Sequence, residues 1–117
     1  MTALAVEVPA GCDISSSKTG RRNGWPYWGI APKDIRDKVL VVSEYFDAAH
    51  FAERVKVKSI VAVGLIDMTC PPTAVLSAYN VIKGPKEIIY MPQGTHKDNH
   101  QEYPPAYKRF ISEILGK

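Results

Sequence analysis

Two cysteines, Cys12 and Cys70, are all that the sequence carries, and they form neither a CxxC pair nor a zinc-ligand spacing. That argues against a disulfide framework and a structural metal site, and no cofactor motif stands in their place. No apolar stretch approaches the ~20 residues that a membrane-spanning helix needs. Charge of neither sign dominates: 15 Lys and Arg against 12 Asp and Glu leave +3. The one tight basic cluster, Lys18 with Arg21 and Arg22, lies among glycines and serines. Without a basic face or a recognition motif, neither nucleic acid nor a membrane is an expected partner. The start, Met1 to Pro9, lacks a basic segment and holds Glu7 inside its apolar run, so it does not read as a signal peptide, and cytoplasm is the expected compartment. Internal repeats and low-complexity tracts are also missing.

What is present is an ordinary globular composition, 45% hydrophobic and 23% charged over 117 residues, enough for one domain or a piece of one. Thr2 to Val8 is a nearly continuous apolar run ended by Pro9, which suits a strand covered on both faces. Residues 10–33 read as one long loop, with "GCDISSSKTGRRNGWPYWG" at its centre; loops of that length in a compact domain tend to be functional. Asp34 to Phe46 sets Ile35, Val39, Val42 and Phe46 at helical spacing. Asp47 is a good N-cap for a second short helix with Ala48, Phe51, Ala52 and Val55 on one face. Lys58 to Ile66 is a second buried strand. Pro71 and Pro72 fit the first turn of a helix that stops at Gly84-Pro85, with the N-cap expected near Thr69. Glu87 to Met91 is a third strand, and Pro104 to Leu115 an amphipathic helix.

Strands alternating with helices predict an α/β fold, a parallel sheet between two helical layers. Ligands in such sheets gather at the carboxyl ends of the strands. Asp67 stands just past the second strand and His96 just past the third, 29 residues apart, which is room for one crossover helix. Adjacent strand ends lie about 5 Å apart, so the two side chains are able to meet. An Asp that accepts from one imidazole nitrogen fixes the tautomer and supports the charge that forms when the other nitrogen takes a proton. Other readings stay open on these residues: Asp67 as a helix cap, His96 as an ordinary loop histidine with His100 as its rival. His50 falls on a charged helix face and reads as surface. Cys70 reads as a packed thiol, with a reactive role as the minor alternative because helix N-termini lower thiol pKa.

The stretch "EYFDAAHFAERVKVKSIVAVGLIDMTCPPTAVLSAYNVIKGPKEIIYMPQGTH" closely resembles the C-terminal part of the acetyl xylan esterase and cephalosporin-C deacetylase family of α/β-hydrolases. "YFDAAHFA", "GLIDMTCPP", "AYNVIKGPKEI" and the His loop match in order and spacing. "LAVEVPAGCD" resembles the strand after the nucleophile helix, and "GWPYW" the segment leading toward the acid. The resemblance implies that Asp67 is the acid and His96 the base of a catalytic triad. It also implies a substrate of the acetylated-sugar or small-ester kind, for which Trp25, Tyr27 and Trp28 are candidate pocket residues. A hydrophobic plug holding the long loop down is the competing role for those three.

The same resemblance exposes gaps. Family members carry their serine in a G-x-S-x-G elbow, and no such motif occurs here. The arginine-glycine loop that helps form the family's oxyanion hole is missing as well, and the usual Glu after the histidine is replaced by Lys97. Residues 1–117 are therefore expected to form a single partial α/β-hydrolase domain lacking the nucleophile half, with an open strand edge at Thr2 to Val8. Such an edge invites a homo-oligomer or a complementing N-terminal fragment. A non-catalytic α/β module that docks onto a partner is the alternative function, and a small hydrolase using Cys12 or Cys70 as nucleophile a minor third.

Overall fold

The computed structural model describes residues 1–22 and 24–117, the side chains of Ser17 and Trp28 excepted. Three strands, β1 (Ala3–Glu7), β2 (Lys58–Gly64) and β3 (Lys86–Met91), form one sheet in the order β1–β2–β3. Both pairings are parallel, with Val6 beside Val61 and Val61 beside Ile88. Four helices join and cover them: α1 (Arg36–Glu44), α2 (Ala48–Ala52), α3 (Pro72–Val81) and α4 (Tyr103–Leu115). The α/β class, the element order and the parallel sheet are as the sequence predicts.

The core follows from the alternation of side chains along β2. Val61 and Val63 point to one face, where Val75, Ile82 and Cys70 meet them and Leu4, Val6 and Val55 pack around the edge. Ile60 and Ala62 point to the other, and both are fully buried. That second face is crossed by α4, which touches all three strands and sinks Phe110 into the layer. Each fully buried valine or isoleucine contributes roughly 1.5–3 kcal/mol relative to exposure, so the central strand is the best-anchored element. None of the described helices is long and apolar enough to cross a membrane.

Helix ends are set by polar groups. Asp47 caps α2 as expected, its Oδ1 accepting from the Ala49 N–H at 2.9 Å. The same carboxylate accepts from the N–H groups of Asp13 (2.9 Å) and Ile14 (2.7 Å), which ties the long loop to the helix. The α3 N-cap is Pro71 rather than a residue near Thr69, because Pro71 and Pro72 offer no N–H for a Thr69 side chain to cap. At the other end of α3, Lys86 Nζ donates to the carbonyls of Tyr79, Asn80 and Ile82 at 2.9, 2.8 and 3.0 Å. Those acceptors are the orphans of the last turn.

Two features leave apolar surface open. Helix α1 forms at the spacing that predicts it, yet its stripe is uncovered: Val42 is 55% and Phe46 71% exposed, and only Leu40 is buried. No described strand pairs with the outer edge of β1.

Candidate active site

A pair of glycines brings the two strand-end loops together. Gly64 closes β2 and Gly94 lies three residues beyond β3. A Cβ built on Gly64 would stand 2.6 Å from the Gly94 carbonyl oxygen, and one on Gly94 would stand 3.0 Å from the Gly64 Cα. Only hydrogen fits at either position. The contact lets the ladder run past the strands, with Leu65 N–H donating to Met91 O (3.0 Å) and Ile66 N–H to Gly94 O (3.2 Å). These glycines escaped the sequence reading. The available signal was a glycine at the end of the apolar run Ile60 to Val63 and another two residues before a histidine.

The register that results places Asp67 and His96 in contact. His96 Nδ1 lies 3.0 Å from Asp67 Oδ2. A carboxylate only accepts, so Nδ1 carries the proton and Nε2 holds the lone pair. The other carboxylate oxygen, Oδ1, accepts from the N–H groups of Thr69 and Cys70, both at 2.8 Å. The Asp67 side chain is wholly buried and the imidazole about one-third exposed. One carboxylate thus both organises the backbone before α3 and bonds a histidine. An acid fixed by three donors in a dry setting is well placed to support a charge on the ring beside it.

His100, the rival, makes its contacts elsewhere, to Glu7 and to the Thr95 carbonyl. His50 is exposed beside Phe51 and Arg54, as expected. Beside His96 lies a shallow depression of about 270 Å³, walled by Ile66, Met68, Thr69, Thr95 and Lys97. Trp25 and Tyr27 line a separate depression of about 250 Å³ with Ile30 and Val39. They reach the acid loop from its flank: the Trp25 N–H donates to Thr69 O at 2.9 Å, and the Tyr27 hydroxyl stands 3.5 Å from Met68 O. The third aromatic candidate, the Trp28 side chain, lies outside the described residues.

Neither thiol suits nucleophilic work. Cys12 and Cys70 are both buried. Burial, followed by the negative charges of Asp47, Cys70 and Asp13, pushes the Cys12 thiol up to about 12. Burial and then Asp67 push Cys70 up to about 11. The packed-thiol reading of Cys70 therefore stands and its minor reactive alternative falls: the loss of water and the adjacent carboxylate outweigh any helix dipole. Asp67, Cys70 and His96 do offer ligand atoms within 4.8 Å of one another. The carboxylate in that set is already engaged by three donors, the Thr69 and Cys70 N–H groups and His96.

The family model described as "Acetyl xylan esterase (AXE1)" matches residues 30–113. Among curated proteins, the acetyl esterase Axe7A of Xylanibacter ruminicola is 27% identical over 96 residues, which are 82% of this chain and 22% of that protein. Among solved structures, the acetyl xylan esterase from Paenibacillus sp. R4 superposes with a TM-score of 0.75 at 25% identity, over 98% of this chain and 37% of its own. Acetyl xylan esterase 1 from Thermoanaerobacterium sp. JW/SL YS485 gives 0.81 at 24% identity, over 97% and 38%, a likeness of fold. This chain spans between about a fifth and two-fifths of the length of these relatives.

Proposed function

This chain belongs to the acetyl xylan esterase family, and from that premise we propose that it carries the acid and the base of a serine carboxylic-ester hydrolase acting on acetyl esters of sugars or similar small alcohols. The observation that supports the reading best is the Asp67–His96 hydrogen bond at the carboxyl ends of adjacent parallel strands. In this scheme a serine hydroxyl adds to the acetyl carbonyl while its proton passes to His96 Nε2. The imidazolium, braced by Asp67 on Nδ1, then returns that proton to the departing alcohol. Water activated by His96 hydrolyses the acetyl-serine and releases acetate. Ile66 and Met68 offer an apolar wall for the acetyl methyl group, and Trp25, Tyr27 and Trp28 remain candidates for stacking against a sugar.

The serine and the oxyanion donors come, on this proposal, from the remainder of an α/β-hydrolase domain, in the same polypeptide or a separate one. Its landing site is the outer edge of β1. The relatives' extra length and the uncovered stripe on α1 argue for such an occupant. The alternative, a docking module without chemistry, rests on the missing G-x-S-x-G alone.

The test is completion. The serine-bearing portion of a family member is joined to or mixed with this chain, and p-nitrophenyl acetate hydrolysis is followed. The expected result is association together with turnover that falls at least about 10³-fold in His96→Ala. The chain by itself is expected to hydrolyse no faster than an equal concentration of imidazole. Association without His96-dependent turnover selects the docking module. A chain that stays monomeric by light scattering and ignores the added portion refutes the completed-domain reading.

A further inference from the structure

The acid–base reading leaves a second histidine unused. His100 reaches back across the sheet end, its Nδ1 2.7 Å from Glu7 Oε1 and its Nε2 2.7 Å from the Thr95 carbonyl oxygen. A carbonyl and a carboxylate both accept, so each ring nitrogen must carry a proton when both bonds are made. The geometry therefore demands the imidazolium. Glu7 is the last residue of β1, and Thr95 is bonded covalently to His96. One charged ring thus links the tip of the outer strand to the backbone of the base. Asn99 makes the reversal possible: at φ +64° it occupies the left-handed region, which asparagine tolerates.

We propose that His100, held in its charged form by Glu7, is a positioning residue that fixes the backbone at Thr95 so that His96 stays on Asp67. The proposal rests on the reading of His96 as the base. Other bonds at Thr95 are internal to the loop: its hydroxyl accepts from the Lys97 and Asp98 N–H groups at 3.2 and 3.0 Å, and its N–H donates to Asp98 O at 3.0 Å. They shape the turn without tying it to the sheet. Beyond Gly94, among the described residues, the side-chain tie from this loop to β1 is the one through His100. Lys97, which stands where the family has Glu, is exposed and contributes only its backbone N–H.

The charged groups that act on His100 are Glu7 from β1 and the Asp67 carboxylate from the loop after β2; Tyr103, in the first turn of α4, feels the Glu7 charge and donates its backbone N–H to the His100 carbonyl at 3.1 Å. The Thr95 carbonyl is the largest influence raising His100 above its ordinary 6.5; partial burial opposes it, and Glu7 and then Asp67 add to the rise. Since the folded ring holds its proton more firmly than the unfolded one, the clamp is complete below about pH 6.5 and is lost as pH climbs through the raised midpoint. The base must be neutral to act, so base and clamp ask for opposite protonation states.

Histidine-ring NMR on the protein tests this without any turnover. At pH 7, Glu7→Gln and His100→Ala are each expected to speed exchange of the His96 Nδ1 proton at least tenfold, while the β2 amides keep their protection. Glu7→Gln is also expected to lower the His100 midpoint. Unchanged exchange in both variants, or a His100 midpoint indifferent to Glu7→Gln, overturns the proposal. If His100→Ala loses β2 protection through misfolding, Glu7→Gln at the exposed strand tip decides alone. Failure of the clamp leaves the Asp67–His96 bond, and hence the esterase reading, intact. Failure of His96-dependent turnover leaves the exchange result standing.

Discussion

Asp67 does two things with one carboxylate, and that doubling explains why pattern alone left its role open. A cap and a histidine partner both ask for an acid at the end of a strand, and only the opposite faces of the group separate them: Oδ1 serves the Thr69 and Cys70 N–H groups, Oδ2 serves His96. The residues that fix the distance, Gly64 and Gly94, were illegible as site residues because their function is to be small against each other's backbone. Cys70 is the packed thiol that the sequence suggests, and only the minor reactive reading falls, because burial beside Asp67 is not visible from its position before a helix. Burial of both thiols predicts that iodoacetamide at pH 8 leaves Cys12 and Cys70 of the native protein unmodified and alkylates both after denaturation, read by mass spectrometry. The sign of the pH effect follows. Both thiols hold their protons more firmly folded than unfolded, so native stability starts to fall as pH rises past the ordinary 9.0 and continues to do so toward about 11–12. Rapid native labelling at pH 8 would contradict this.

At the scale of elements, the signals that survived folding were local ones. Pro71-Pro72, Gly84-Pro85 and the Asp47 cap mark helix ends through backbone chemistry that needs no tertiary partner, and the strands and α-helices lie within about three residues of the expected ones, whereas two short 3-10 helices, Ser16–Thr19 and Trp28–Ile30, form inside the stretch read as loop. The Lys86 clamp on α3 could not be read, since it depends on β3 running back beside the helix end. Its ammonium satisfies three terminal carbonyls and lies 4.8 Å from the centre of the Tyr79 ring. Replacing Lys86 with Met keeps the stem and removes the donors. The expected cost is about 1–2 kcal/mol in urea unfolding, with an unchanged m-value. A variant as stable as the parent would mean that water serves those carbonyls equally well. Helix α1 shows the limit of periodicity: the spacing of Ile35, Val39, Val42 and Phe46 predicts a helix correctly, but nothing in it says whether a partner covers the stripe.

For the molecule as a whole, the fold class was readable because the run Ile60 to Val63 is apolar at every position, which only a doubly covered strand tolerates. Parallel pairing then follows from the helices that intervene between successive strands. What covers the β1 edge and the α1 stripe was not readable, because that information lies in whatever packs there. The matched stretches make up 22–38% of the relatives' lengths, and the two solved structures superpose on this chain along almost its full length. A sheet end that holds an oriented imidazole, an apolar rim and a shallow depression has the geometry of half a hydrolase site. On the function proposed above, its chemistry waits on a nucleophile delivered across the β1 side.

The most direct measurement is kcat of the completed domain with Asp67→Asn, against the parent, on an acetyl ester. An Asn keeps the volume but favours the wrong histidine tautomer, so kcat should drop by about 10²–10⁴-fold with KM little changed. A parent-like kcat in the Asp67→Asn enzyme would show that the buried carboxylate only organises the backbone before α3, and the assignment of acid and base would be wrong.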